Sequence, residues 1–324
     1  MKVTNQMIAK DMRIEGILWR TFSHLTSVKK FKRAQKIISH LKGKAPKNPN
    51  VDMQQIKIPG KDGNMIRLCV YTPKSRRSDT PMTGLLWVHG GGYAIGIPEM
   101  ENTTIARIID AHDTIVVSPD YRLSLEAPYP AAVEDVYTSL LWMKSNAASL
   151  NMNRNQIFIG GESAGGGLTC CVSALARDRH EVNIAFQMPL YPMLDNEMDT
   201  PSMKSNNAPV WNQANNNAAW KQYLGINYLS NAVSPYAAPS HLKSYDDLPP
   251  TFTFIGDIEP FYDETMAYIA NLNKADVQTE VHVYHGAFHG FDRIAPHSSE
   301  AKQATAAMLK AYLAATKKYF KTNS

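Results

Sequence analysis

Gln156-Ile-Phe-Ile-Gly-Gly-Glu-Ser-Ala-Gly-Gly-Gly167 joins a short apolar run to a glycine-rich turn, and the turn to a helix-forming stretch. The run from Gln156 to Gly160 is too short for a buried helix and rich in Ile and Phe, which predicts a buried strand. Ala164 to Arg177 predicts a helix. Between them lies Gly161-Glu162-Ser163-Ala164-Gly165, a G-x-S-x-G sequence. A chain that turns from strand to helix this sharply needs small neighbours, and the turn projects the central hydroxyl outward. Ser163 also falls at a helix N-terminus, where free N–H groups favour developing negative charge. The pentapeptide alone is common by chance; placed between this strand and this helix, it makes Ser163 a candidate nucleophile rather than a structural turn.

Working outward, His89-Gly90-Gly91-Gly92 follows the strand-like Gly84 to Val88. Three consecutive glycines let a backbone approach a ligand closely and turn N–H groups toward it. A phosphate-binding loop would lead into Lys-Ser/Thr or fit G-x-G-x-x-G, and Tyr93 to Met100 supply neither. Further strands are expected at 55–58 and 66–72, paired as a hairpin, and at 114–121, 184–191, 251–257 and 280–286. Helix-length segments at 102–111, 131–145, 263–274 and 299–320 alternate with them. That order predicts an α/β fold with a mostly parallel central sheet flanked by helices. Two regions break the rhythm. Residues 192–248 hold no clear strand, are rich in Asn and Trp, and are too long for a bare loop, so a partly helical cap insertion is expected there, with 215–224 its best helix. Apolar residues from Gln6 to Leu41 recur at spacings of three, four and seven, which predicts two amphipathic helices with a break near Thr21 to Ser27. A linker follows at Gly43 to Asn50. The expected division is residues 1–50 as a helical N-terminal part and 51–324 as the main domain carrying the insertion.

The pair His89–Gly96 (HGGG-Y-x-x-G) and Gly161–Gly166 (GESAGG), with Asp120–Asp135 between them, resembles the hormone-sensitive-lipase-like family of α/β-hydrolases. The similarity runs from about Pro81 to Phe291 and includes Ser234–Pro239 and Leu248–Asp257. It implies the α/β-hydrolase fold with a helical cap, to which it assigns residues 1–50 as the N-terminal part, and a serine carboxylesterase working through an acyl-enzyme. It also implies a catalytic order of Ser, acid, His. No H-E-x-x-H, paired C-x-x-C or carboxylate cluster argues for a metal, and neither cofactor nor metal is expected. The H-G-F motif of the family falls on His289-Gly290-Phe291, which implies His289 as the base; His285 is the main rival. The family's D-P-L-x-D reads here Glu259-Pro260-Phe261-Tyr262-Asp263, which places Glu259 in the acid's register and leaves Asp257 and Asp263 as alternatives. Glutamate can serve, because the acid's task is to hold the imidazole tautomer and stabilise imidazolium. The resemblance further implies an oxyanion hole from the N–H groups of Gly91, Gly92 and Ala164. Glu162 stands where the family more often has Asp, and Leu125 where it often has Pro. Apolar residues of the insertion, Trp211 and Met193 foremost, are candidate walls of a pocket for small, short-chain acyl esters; the same residues serve equally well to pack the cap on the body.

Composition narrows the alternatives. With 324 residues, 19% charged and 9% aromatic, 18 Gly and 19 Pro, the chain is neither collagen-like nor disordered. Three cysteines, two of them adjacent, cannot form a disulfide scaffold and read as buried thiols of a reducing compartment. Met1 to Gly16 lack the apolar core of a signal peptide, so a cytoplasmic protein is expected, with no integral membrane contact. The net charge of +5 is unevenly placed: residues 1–50 hold 12 Lys/Arg against Asp11 and Glu15, and the remainder sums to −5. The basic run Lys29, Lys30, Lys32, Arg33, Lys36 offers a further reading, binding to nucleic acid or to an anionic membrane on which a basic amphipathic helix lies; no nucleic-acid motif accompanies it, and charge runs are usually solvated faces. A small-molecule ester is the expected partner, and a homodimer is a general prior. Rival functions are an amidase or deacetylase on the same scaffold, which shares the chemistry, and a catalytically silent small-molecule receptor.

Overall fold

The computed structural model describes residues 1–22, 24–229 and 233–320. Two short helices open the chain, α1 (Arg13–Phe22) and α2 (Val28–Ile38). They separate where a break is expected, although residue 23 within that break lies outside the described residues. Ser27 caps α2 by accepting from the Lys30 N–H.

An eight-stranded sheet follows: β1 (Val51–Pro59), β2 (Met65–Pro73), β3 (Met82–Val88), β4 (Thr114–Asp120), β5 (Met152–Glu162), β6 (Phe186–Leu190), β7 (Thr251–Gly256) and β8 (Thr279–Tyr284). Its order is β1-β2-β4-β3-β5-β6-β7-β8. The hairpin β1–β2 and the pair β2–β4 are antiparallel, and all other neighbours are parallel. Every residue of β3 is buried, as a central parallel strand with helices on both faces requires, whereas β1 at the edge is mostly exposed. The crossovers are α3 (Asn102–Ala111), α4 (Ala131–Ser145) and α5 (Ala164–Arg179). Helix α5 is buried from Ala164 to Ala176, which places Cys170 and Cys171 in the core, and all three cysteines are free and buried.

The segment after β6 carries α6 (Gln213–Leu224) among turns, close to the expected 215–224. It starts two residues earlier because the Asn212 side chain caps it. Residues 230–232 of the expected insertion lie outside the described residues. Two asparagines of this segment are buried: Asn215 accepts from the Leu25 N–H at 2.9 Å, and Asn216 accepts from the Trp211 indole at 3.1 Å. The Val3 N–H donates to Asn207 at 2.7 Å, so the N-terminal arm and this segment hold one another. The chain closes with α7 (Tyr262–Lys274), the one-turn α8 (Phe291–Ile294) and α9 (Ser299–Lys318). The loops leaving β3, β5, β7 and β8 at their C-terminal ends converge, the usual place for a site on such a sheet.

Candidate active site

Ser163 stands between β5 and α5 with φ 57° and ψ −119°, a backbone conformation that few residues other than glycine adopt. Three hydrogen bonds hold it there: its N–H donates to Leu190 O at 3.0 Å, and its carbonyl accepts from the Gly167 and Met193 N–H groups. The flanking glycines are steric necessities. A Cβ on Gly165 would lie 2.1 Å from the Val88 carbonyl oxygen, and one on Gly161 2.5 Å from the same atom. The G-x-S-x-G spacing is thus the sequence trace of a turn pressed against β3.

His289, in the loop between β8 and α8, places Nε2 2.8 Å from Ser163 Oγ and Nδ1 2.5 Å from Glu259 Oε2. Phe261 and Tyr191 meet its ring edge-on at 5.0 Å between centroids. Glu259 is fully buried, and its second oxygen accepts from the Gly256 N–H at 3.2 Å. The two other carboxylates lie elsewhere. Asp257 pairs at 2.6 Å with His285, whose ring is almost fully exposed, and accepts from the Gly286 N–H. Asp263 accepts from the Ser202 N–H at the start of α7.

The His89–Gly92 loop lies opposite. Gly91 and Gly92 have φ +117° and +59° and face the same cavity as Ser163. A Cβ on Gly92 would meet the Trp211 ring at 2.3 Å, so the indole packs directly on that backbone. Ala164 is the first residue of α5, where an N–H has no acceptor within the helix. His89 supports this loop without joining the chemistry: it is fully buried, stacks on Tyr121 at 4.2 Å, and burial lowers its pKa to about 4, so it stays neutral.

The cavity measures about 520 Å³ and is largely apolar. Trp211, Val210 and Tyr191 form part of its wall. Met193 does not line it; the residue is buried behind the nucleophile, with its carbonyl accepting from Tyr93 Oη at 2.9 Å. Walls the sequence did not single out come from the N-terminal arm: Trp19, Leu25, Ala34, Ile37 and Ile38. Their helical spacing was visible, but not the surface they would cover.

Also beyond reach of a linear reading is the cluster behind Ser163. Arg293 of α8 donates to Glu162 at 2.5 Å and to Glu101 at 2.7 Å, tying the residue before the nucleophile to the segment after His289. Asp292 lies in the same group. Burial, with neighbouring acids adding to it, raises the pKa values of Glu162 and Asp292 to about 7.

A strained serine, a histidine in contact with it, a buried carboxylate behind and a glycine loop in front, all on the C-terminal edge of this sheet, define a member of the α/β hydrolases. The family model for the α/β hydrolase fold matches residues 85–293, and the chain belongs to the hormone-sensitive-lipase-like branch of that fold. It is similar to esterase LipI of Mycobacterium tuberculosis, 30% identical over 261 residues that cover 79% of this chain and 81% of that protein. Carboxylesterase NlhH of the same organism is 30% identical over 246 residues, covering 74% of this chain and 76% of that one. Among solved structures, that of a bacterial heroin esterase matches with a TM-score of 0.87 at 29% identity, covering 97% of this chain and 99% of that one.

Proposed function

We propose that the protein is a serine carboxylesterase for small apolar esters. The hydrogen-bonded chain from Glu259 through His289 to Ser163, opening on an apolar cavity, carries this reading. The esterase names of the relatives point the same way. In this mechanism Ser163 Oγ attacks the ester carbonyl while His289 Nε2 takes its proton, and Glu259 stabilises the imidazolium. The oxyanion is bound by the N–H groups of Ala164, Gly91 and Gly92. His289 then gives its proton to the departing alcohol, leaving an acyl-Ser163. Water, deprotonated by the same imidazole, attacks the acyl carbonyl, the Oγ–acyl bond breaks, and the imidazolium returns its proton to Ser163 Oγ, which releases the acid and restores the free enzyme.

Residues 1–50 and about 192–248 together form the cap over the main body in this reading, and the cavity beneath them takes short-chain acyl groups against Trp211 and Tyr191. A fluorophosphonate probe tests the nucleophile: a single adduct on Ser163, absent in Ser163→Ala, is expected, and no adduct would favour a silent receptor. A panel of p-nitrophenyl esters with their anilide analogues tests the substrate class. A C2 to C6 optimum with slow anilides is expected; a C12 optimum would overturn the short-chain assignment, and faster anilides the ester assignment.

A further inference from the structure

Among the described residues eleven large apolar side chains stand exposed, and seven of them fall between Ile14 and Leu41. Met12, just before helix α1, and Gly16 within it are buried, while α1 presents Ile14, Ile17 and Leu18 on its outer face; Ile14 is 73% and Leu18 54% exposed. A helix whose apolar stripe is directed to water has its normal polarity reversed. Trp19 and Ile37, 42% and 74% exposed, also line the active-site cavity, so the patch reaches its mouth.

The charge beside it is equally one-sided. Lys30, Arg33 and Ile37 share one shoulder of α2 at spacings of three and four. Lys29, Lys32, Arg33 and Lys36 are exposed and make no ion pair among the described residues. Both acids of the arm are engaged, Asp11 with the Ser299 N–H and Glu15 with His297. Of the arm's net charge of +10, Lys42 is paired with Asp120 of the body at 3.0 Å, whereas the cations of α2 have no carboxylate partner among the described residues.

We propose that the α1–α2 face is a docking surface for an anionic phospholipid bilayer: the aliphatic residues of α1 enter the headgroup region, Lys29, Lys30, Arg33 and Lys36 meet lipid phosphates, and the cavity mouth opens onto the lipid. The two halves of the surface select this occupant together. A second copy of the chain would set the same cationic helix against itself, which like-charge repulsion opposes. A nucleic acid would satisfy the cations and leave the exposed Ile14, Ile17 and Leu18 without a partner. An anionic bilayer supplies both an apolar layer and phosphates, the combination an interfacial amphipathic helix requires.

The test is sedimentation of the full chain with phosphatidylcholine vesicles, with and without one quarter phosphatidylglycerol, a binding measurement independent of the esterase reading. Binding to the anionic vesicles alone is expected, weakened by 0.5 M salt. Each basic residue near such a surface contributes about fivefold in affinity. The combined Lys29→Gln, Lys30→Gln, Arg33→Gln and Lys36→Gln variant should thus lose affinity by roughly several hundredfold. Ile14→Ser with Leu18→Ser should lose roughly tenfold or more at unchanged charge; all six side chains are exposed, so folding is preserved. The proposal is overturned by any of four results: no binding to anionic vesicles at low salt, binding that neither variant weakens, a DNA gel shift lost in the charge variant without vesicle binding, or a dimer that Ile14→Ser with Leu18→Ser dissociates.

Discussion

Replacing Glu259 by glutamine keeps its size and changes only what it can offer to His289. One oxygen of Glu259 accepts from the Gly256 N–H at 3.2 Å while the other meets His289 Nδ1 at 2.5 Å. In this buried site the glutamine oxygen stays on the Gly256 N–H, because abandoning that donor costs about 1–3 kcal/mol. Its NH₂ group then faces Nδ1, and the ring is driven to the tautomer with its proton on Nε2, aimed at Ser163 Oγ. That tautomer cannot accept the serine proton; recovering the productive one costs the same 1–3 kcal/mol. The carboxylate charge opposite the developing imidazolium is lost as well, about 4 kcal/mol at the effective dielectric of such sites. The sum, about 5–7 kcal/mol, corresponds to a loss in kcat of about 10,000- to 100,000-fold. The assay is p-nitrophenyl butyrate turnover, with a thermal melt to show that the variant is folded. Asp257→Asn, which disturbs an exposed pair with His285, and Asp263→Asn, at the start of α7, should keep kcat within about threefold. A folded Glu259→Gln enzyme retaining a tenth of its kcat, or an Asp257→Asn loss of equal size, would refute the reasoning.

Three further outcomes follow from backbone and charge. Ser163→Gly should be more stable than Ser163→Ala by about 1–2 kcal/mol, the reverse of the usual order, because φ 57° and ψ −119° strain any residue with a Cβ; a melt in which alanine is the more stable would remove the strain argument. Gly165→Ala should cost more than about 3 kcal/mol or abolish soluble expression, since its Cβ would lie 2.1 Å from a carbonyl oxygen of the central strand β3; a wild-type melting temperature would contradict this. Asp292, raised to about 7, binds a proton in the native state that the unfolded chain has already lost above its ordinary pKa, so its contribution is full in acid and lost as the pH rises through 7. Asp292→Asn imitates the neutral form, and its stability advantage should grow as the pH rises from about 5.5 to about 8.5; an advantage constant with pH would show that Asp292 does not titrate there.

The elements around the nucleophile were legible because local constraints wrote them into the chain. Gly161 and Gly165 are there because β3 leaves no room for a Cβ, and the alternation of strands with helices needs only period and length to be seen. Asp257, Glu259 and Asp263 were less separable. They lie within seven residues, and the linear pattern alone offers each as a partner for a histidine; the turn after β7 points one inward and leaves the others to His285 and Ser202. Met193 and Trp211 were equivalent apolar residues of one insertion until packing put the indole on Gly92 and buried the methionine behind Ser163.

By itself the sequence determined the sheet, the sharp turn at Ser163, the glycine loop and the family, since each rests on neighbours a few residues apart. Tertiary structure alone decided which carboxylate meets His289, that Arg293 binds Glu162 across 131 residues, and that a basic N-terminal arm walls the cavity. Those contacts join segments far apart in the chain, and a side chain's direction after a turn is set by the packing of the whole sheet, which no local periodicity records.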